Sequence, residues 1–314
     1  MKSNVSIIIP TLNRPKLLER AILSIINQSY KGNIAIIVVD SSQSSSSEIL
    51  CKKFKNLKNR ELYYYKNENS IYPIDNYIYG AKYITGEYSK FLCDDDWLEP
   101  DFIKKSIRAL NQFNATTCIS NINLVFSNST SNNVNGYYKI KTGIVTFEQI
   151  YKFIFYDHSI PVSDSTSLFK SNILIEAFYQ SVKNLECTRL QFGFDFFINY
   201  YAVFNNSNTV MLNESLVNSW VGNDSITINS KLSKISYCNF FAFLRLTNIF
   251  NIEVDENYNK DLLHKVAVIK LKSYFDKNLK KLVPDEKIKT KFNLIIFLTK
   301  IIKKIKIKYF SIFS

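Results

Sequence analysis

The sequence predicts an α/β protein built on a largely parallel sheet, and three observations carry that expectation. Short β-branched runs alternate with helically spaced apolar residues through the first hundred residues. Three of those runs end in polar or acidic residues, which is where an open parallel sheet binds ligands. The composition, 46% hydrophobic and 21% charged over 314 residues, suits one large or two closely packed domains and excludes wholesale disorder.

Val5–Ile9 is the first expected strand, a buried β-branched run stopped by Pro10. After the turn Pro10–Arg14, Leu17, Leu18, Ala21, Ile22, Ile25 and Ile26 recur at helical spacing. Ile34–Val39 is a second buried strand ending at Asp40, and the polar run Ser41–Ser47 closes a turn and caps a helix beginning near Glu48. A third strand, Glu61–Tyr65, precedes a helix around Asn76–Ile84. Tyr88–Leu92 is the fourth, running straight into Cys93-Asp94-Asp95-Asp96. Glu99-Pro100-Asp101 opens the next helix, with Pro at the first helical position and acids in the first turn. Thr116–Phe126 and Tyr137–Val145 are expected as two strands joined by the Ser/Asn-rich loop Ser127–Gly136. A helix near Phe147–Phe155, a strand near Ser165–Phe169 and the aromatic stretch Phe192–Phe204 complete a second half, and the pattern is helical from Leu232 onward. The domain boundaries that follow are 1–228, divided into 1–110 and 111–228, and a C-terminal helical region 229–314.

Composition narrows the function classes. Seven Gly and six Pro exclude a collagenous or Pro-rich repeat. The five Cys (51, 93, 118, 187, 238) form no C-x-x-C pair and the two His (158, 264) stand far apart, which argues against a zinc centre or disulfide framework and for a reducing compartment. Forty Lys and Arg against 27 Asp and Glu give +13, but residues 287–314 alone hold eight Lys and no acid. The basic element is therefore the tail, which argues against a nucleic-acid groove in the body. The run Val5–Ile9 is too short for a secretory signal, and Phe292–Thr299 falls short of the roughly 20 residues of a membrane span.

The three polar strand ends, Pro10-Thr11-Leu12-Asn13-Arg14, Asp40-Ser41-Ser42 and Asp94-Asp95-Asp96, can converge on one pocket. Three consecutive Asp repel one another and point in different directions, which suits a hard cation held by one or two carboxylates plus ligand phosphates. A nucleoside diphosphate with Mg²⁺ or Mn²⁺ fits. The simpler alternative is that the acids stabilise the N-terminus of the following helix.

Together Val5-Ser-Ile-Ile-Ile-Pro-Thr-Leu-Asn-Arg-Pro, Ile36-Ile-Val-Val-Asp-Ser-Ser and Thr85-Gly-Glu-Tyr-Ser-Lys-Phe-Leu-Cys-Asp-Asp-Asp resemble the opening, second strand and DXD region of family 2 glycosyltransferases. The resemblance implies a GT-A fold, a Rossmann-like mixed sheet for nucleotide-diphospho-sugar transfer, a nucleotide-sugar donor, Mn²⁺ or Mg²⁺, and inversion at the anomeric carbon. It implies that Thr11 and Asp40 lie against the nucleoside, Asp94 near the ribose and Asp95 on the metal, with Asp96 beside it. Pro10, Leu12, Asn13, Arg14 and Asn76 join the donor side. Two positions depart from the family pattern. Ser41 stands where a second Asp commonly faces the base, and Cys93 replaces the first acid of D-x-D.

Inverting transfer needs a base on the acceptor side. Asp195, an acid in the aromatic stretch Gln191-Phe-Gly-Phe-Asp-Phe-Phe, matches the position of the family's catalytic acid; the alternative is a helix N-cap. Trp220-Val-Gly-Asn-Asp-Ser, with Asn223, Asp224 and Ser225, falls where such enzymes often carry a loop over the diphosphate or acceptor, and a surface turn with a core Trp explains it equally. Ser165 in Asp164-Ser-Thr-Ser is a further candidate for the acceptor cleft.

In the tail, Lys300, Lys303, Lys304 and Lys308 interleave with Leu298, Ile301, Ile302, Ile305 and Tyr309 as an amphipathic helix suited to an anionic membrane surface. The resulting expectation is a cytoplasmic bacterial glycosyltransferase, peripheral on the inner face of the membrane, transferring a UDP-linked sugar to a glycan or lipid-linked acceptor of surface polysaccharide, with no nucleic-acid partner. A sugar nucleotidyltransferase is the first rival, although Pro10–Arg14 lacks the Gly-rich phosphate loop it would want. A non-catalytic basic membrane-binding protein is the second.

Overall fold

The computed structural model describes residues 4–54, 57–126, 134–135, 141–155, 160–184, 192–222 and 232–252. The chain divides into two compact units, residues 1–251 and 252–314, and almost all described residues belong to the first.

Strands β1 (Val5–Thr11), β2 (Ile34–Asp40), β3 (Arg60–Lys66) and β4 (Tyr88–Phe91) lie parallel in the order β3-β2-β1-β4. The two central strands are buried on both faces from Ile7 to Ile9 and from Ile36 to Val39, which is why they read as unbroken apolar runs. Helix α1 (Pro15–Ile26) starts on a proline already at helical φ and buries the stripe Leu18, Ala21, Ile22 and Ile25. Helix α2 (Ser46–Lys52) follows β2, and α3 (Pro73–Ala81) follows β3. The carboxylate of Asp75 accepts from the backbone N–H groups of Ile71 and Tyr72, both at 2.8 Å, and fixes the entry to α3.

The second half adds β5 (Trp97–Leu98), α4 (Phe102–Gln112), β6 (Thr117–Phe126), β7 (Val134–Asn135), β8 (Gly143–Ile144), α5 (Phe147–Phe155), a 3₁₀ turn (Asp164–Thr166), β9 (Ser167–Lys170), α6 (Ser171–Asn184), α7 (Phe194–Phe204), β10 (Thr209–Val221) and α8 (Leu232–Ile249). Strand β9 runs antiparallel between β4 and β6, β10 runs parallel to β6, and β5 closes the edge antiparallel to β10. The sheet is therefore mixed, with the apolar core continuous from β1 and α1 through Phe102, Leu110, Cys118 and Val217. Helices α5, α7 and α8 pack through aromatic rings, with Phe243 against Phe147, Tyr151, Phe155 and Phe204.

Several elements depart from the sequence reading. Pro100 is not the first residue of α4: Asp101 is its N-cap, the first turn holds no acid, and Asp101 accepts instead from the Ser29 hydroxyl at 2.5 Å. Helix α3 begins at Pro73 rather than Asn76. Within the described residues Val134–Asn135 pairs with Thr117–Phe126, and Gly143–Ile144, inside the expected strand 137–145, pairs with β10. Trp220 lies within β10 rather than in a loop. Helix α6 and strand β10 were not expected at all.

Candidate active site

The site begins at the turn from β1 into α1. Asn13 adopts a left-handed φ of 57°, which swings the chain into the helix within three residues, and its N–H donates to Ser42 Oγ at 2.7 Å. Thr11 Oγ1 donates to Asp94 Oδ2 at 2.7 Å. Arg14 bridges two acids, with one guanidinium nitrogen 2.5 Å from Asp94 Oδ1 and the other 3.0 Å from Asp95 Oδ2. Pro10 is part of β1, and Leu12 stands half exposed beside them.

At the end of β2, Asp40 is fully buried. Its Oδ1 accepts from the Ser42 N–H at 2.8 Å and from the Ser42 hydroxyl, and its Oδ2 accepts from Tyr64 Oη at 2.8 Å. Asp40 thus fixes the loop that carries Ser41 and Ser42. Asn76 ties the strand ends together: its Nδ2 donates to Ser41 Oγ at 3.0 Å and to the Thr11 carbonyl at 3.4 Å, while its Oδ1 accepts from Asn67 at 2.9 Å.

The three carboxylates after β4 occupy different environments. Burial pushes Asp94 up to about 6 against the pull of Arg14 and Thr11. Burial and the neighbouring Asp95 push Asp96 up to about 7, against hydrogen bonds from Ser165 and Ser219. Asp95 is the more exposed, held by Arg14. Its carbonyl accepts from Arg20 at 2.7 Å, and the Arg20 guanidinium lies over the rings of Trp97 (3.9 Å) and Trp220 (4.9 Å). The Trp220 N–H donates to Asp96 Oδ1 at 3.2 Å, joining the end of β10 to the acids. Cys93, Asp95 and Asp96 each offer one ligand atom, all within 4.8 Å of one another. Two carboxylates and a thiol at that spacing fit a divalent cation.

Beneath the acids lies a second layer. Lys90 is fully buried, its ammonium donating to the carbonyls of Phe91 (2.9 Å) and Ser165 (2.8 Å), and burial lowers it to about 8. Ser165 Oγ accepts from the Cys93 N–H at 3.1 Å. Asp164 is buried and accepts from Cys93 Sγ at 3.4 Å. Asp195 sits in the first turn of α7, whose N-cap is Gly193, so the capping alternative for Asp195 falls away. Gly193 has φ 89°, and a Cβ there would lie 2.7 Å from the Cys238 carbonyl of α8. Asp195 Oδ1 is covered and has no hydrogen-bond partner, and burial together with Asp164 holds this carboxyl well above the usual range.

The structure thus gathers Pro10–Arg14, Asp40, Asn76, Asp94, Asp95, Asp96, Ser165 and Trp220 around the carboxyl ends of the strands, with Asp195 linked to them through Asp164 and Cys93. Asn223, Asp224, Ser225 and the tail 287–314 lie outside the described residues, as do His158 and His264. Sequence reasoning missed Arg20, Tyr77 and Lys90. The signal for Lys90 was a lone cation inside the otherwise buried run Tyr88–Leu92. A cavity of about 390 Å³ lies elsewhere, lined by Asn4, Ser6, Ile34, Tyr63, Tyr83 and others, and none of the carboxylates after β4 borders it.

A parallel sheet continued by antiparallel β9, with an acidic turn after β4 tied to the first βα turn, is the architecture of the GT-A fold. The chain belongs to glycosyl transferase family 2, whose model matches residues 6–177. Glycosyltransferase GlyA of Streptococcus pneumoniae serotype 4 is 26% identical over 225 residues, covering 68% of this chain and 30% of that protein. The GalNAc(5)-diNAcBac-PP-undecaprenol beta-1,3-glucosyltransferase of Campylobacter jejuni is 36% identical over 94 residues, 30% of each chain. The chain therefore spans under a third of the length of these curated relatives. The crystal structure of S. aureus TarS 1-349 in complex with UDP matches with a TM-score of 0.58 at 18% identity, over 83% of this chain and 70% of that one, which shows the shared fold. Family membership favours glycosyl transfer over the nucleotidyltransferase and non-catalytic alternatives.

Proposed function

We propose that this protein is an inverting glycosyltransferase that moves a sugar from a UDP-linked donor to a hydroxyl of a glycan or lipid-linked acceptor in bacterial surface polysaccharide synthesis. The observation that carries this reading is the meeting of Thr11, Arg14 and the carboxylates of Asp94, Asp95 and Asp96 at the carboxyl ends of β1 and β4. Support for the donor comes from TarS, solved with UDP and with UDP-GlcNAc. Support for the pathway comes from relatives whose names place them on an undecaprenol-linked glycan and in minor teichoic acid biosynthesis.

In this reading residues 1–110 hold the donor and 111–228 the acceptor. The nucleoside lies against Thr11, Leu12, Asn13 and the loop that Asp40 and Asn76 fix, with Asp94 near the ribose. Asp95 and Asp96 would hold a divalent cation, Mn²⁺ or Mg²⁺ by family expectation, which would supply positive charge to the diphosphate. Arg14 keeps Asp94 and Asp95 from splaying apart. Asp195 takes the proton from the acceptor hydroxyl as that oxygen attacks the anomeric carbon; the new C–O bond forms on one face while the bond to the diphosphate breaks on the other, so configuration inverts. Burial makes the Asp195 carboxylate a stronger base than an exposed one. Trp220, at the end of β10, stands beside Asp96 on the diphosphate or acceptor side, where the sequence also offers Asn223, Asp224 and Ser225, and Ser165 orients Cys93 and Asp96. The basic tail seats the enzyme on the cytoplasmic face of the membrane.

Thermal stabilisation by UDP, GDP, dTDP and CMP, each with and without Mn²⁺, tests the reading. A ligand at a hundredfold its Kd stabilises the native state by about 2.7 kcal/mol. UDP with Mn²⁺ is expected to raise Tm selectively in the parent and not in Asp95→Asn. Absence of stabilisation by every nucleotide would overturn the proposal.

A further inference from the structure

We infer that Cys93 is a sulfur ligand of the cation site, which gives that site a preference for thiophilic divalent ions such as Co²⁺, Zn²⁺ and Cd²⁺ over Mg²⁺. The inference rests on the proposed function, in that Asp95 and Asp96 hold a cation.

Position is the first argument. Cys93 is the residue at which β4 gives way to the acidic turn, and its N–H is anchored on Ser165 Oγ at 3.1 Å, so its side chain has a fixed origin beside the acids. Distance is the second. Its Sγ and one oxygen each of Asp95 and Asp96 lie within 4.8 Å of one another. Two ligand atoms on a shared ion are separated by at most the sum of their bond lengths, about 4.4 Å for sulfur and oxygen on zinc. On a tetrahedral ion the sulfur–oxygen separation is about 3.6 Å, so closing the set takes side-chain adjustments of up to about an ångström.

The third argument is an independent one from the surrounding groups. Asp164, 3% exposed, receives the thiol through Oδ1 at 3.4 Å, and its other oxygen, Oδ2, is buried without a hydrogen-bond partner. Asp164 is itself balanced by Tyr77 and the Lys90 ammonium, and it acts on the site by holding the sulfur in place. Tyr77 Oη lies 3.6 Å from Sγ on the same buried side. Oxygen-only sets suit Mg²⁺ and Mn²⁺, whereas a thiolate favours softer ions, so replacing one oxygen ligand by sulfur changes which ion the site selects. Binding through sulfur releases the thiol proton to solvent.

The test titrates the full chain with Co²⁺ and follows the sulfur-to-cobalt charge-transfer absorption in the near ultraviolet. The band is expected in the parent and absent from both Cys93→Ser and Cys93→Asp. Competition with Cd²⁺ should show about tenfold or greater weakening in Cys93→Ser, while Mn²⁺ affinity stays within about twofold, since its oxygen ligands remain. Cys93→Asp should bind Mg²⁺ more tightly than the parent, and guards against a serine variant that folds poorly. A band that persists in Cys93→Ser comes from another cysteine and overturns the inference. No band in the parent, with Mn²⁺-dependent UDP stabilisation intact, overturns the sulfur ligand and leaves the glycosyltransferase reading standing. Loss of both overturns both.

Discussion

Asp195 and Asp164 share one buried layer, and their nearness decides how the proposed base behaves. Each carboxylate raises the cost of ionising the other, and burial raises it further, so Asp195 loses its proton only well above the usual carboxylate range. A base works only when unprotonated, so kcat/KM should fall as pH drops through this raised value, with its acid limb above the ordinary Asp range near pH 4. Asp164→Asn removes the neighbouring charge and should move that limb to lower pH; a limb that does not move removes Asp164 from the account. Asp195→Asn keeps the shape but not the basicity. Transfer should fall by about 10²-fold or more, while nucleotide stabilisation persists. Near-normal transfer in that variant would sink the role assigned to Asp195. Thr11, Asp94, Asp95 and Asp195 are legible as candidates because acids and hydroxyls at strand ends and in an aromatic stretch stand out in a sequence. Arg20 and Lys90 are not, because their meaning lies in carbonyls and rings contributed by residues some seventy positions or more away.

The elements show the same division. Strands β1 and β2 were legible because a strand covered on both faces must be apolar throughout, and α1 because its buried stripe keeps strict helical spacing. Strand β10 was hidden by Asn213-Glu214-Ser215 in its middle, where the register against β6 shifts twice and the polar residues turn outward. Helix α6 was hidden differently: β9 ends at Lys170 and the helix begins at Ser171, so no turn residue marks the change of period. Close packing of elements also gives a stability test. A Cβ on Gly80 of α3 would lie 2.5 Å from Cγ2 of the fully buried Ile8 and 3.1 Å from Val39 Cγ2. Gly to Ala within a helix ordinarily gains about 1 kcal/mol, but overpacking a stiff β-branched core neighbour costs about 1–3 kcal/mol. The clash is expected to win, so Gly80→Ala should lower Tm by a few degrees. A raised Tm would show that α3 can lift from β1 without loss.

On the scale of the whole molecule, charge is the property to explain. The body pairs its acids closely with arginine at the site, while eight of the lysines that make the chain basic fall in residues 287–314. Among the described residues no helix is long and apolar enough to cross a membrane. An acceptor carried on a lipid must nevertheless be met at a surface, and a segment that alternates Lys with Ile and Leu offers both an apolar face and a cationic one. Each lysine near an anionic surface contributes about 1 kcal/mol, screened by salt. The full chain should therefore float with vesicles containing anionic lipid, float poorly with purely zwitterionic vesicles, and be released at high ionic strength. Replacing Lys300, Lys303, Lys304 and Lys308 by Gln removes about 4 kcal/mol of that attraction, enough to weaken binding by roughly 10³-fold while leaving the nucleotide response of the body untouched. A full chain that stays in the soluble fraction with anionic vesicles would instead assign the tail to packing within the protein or between copies of it.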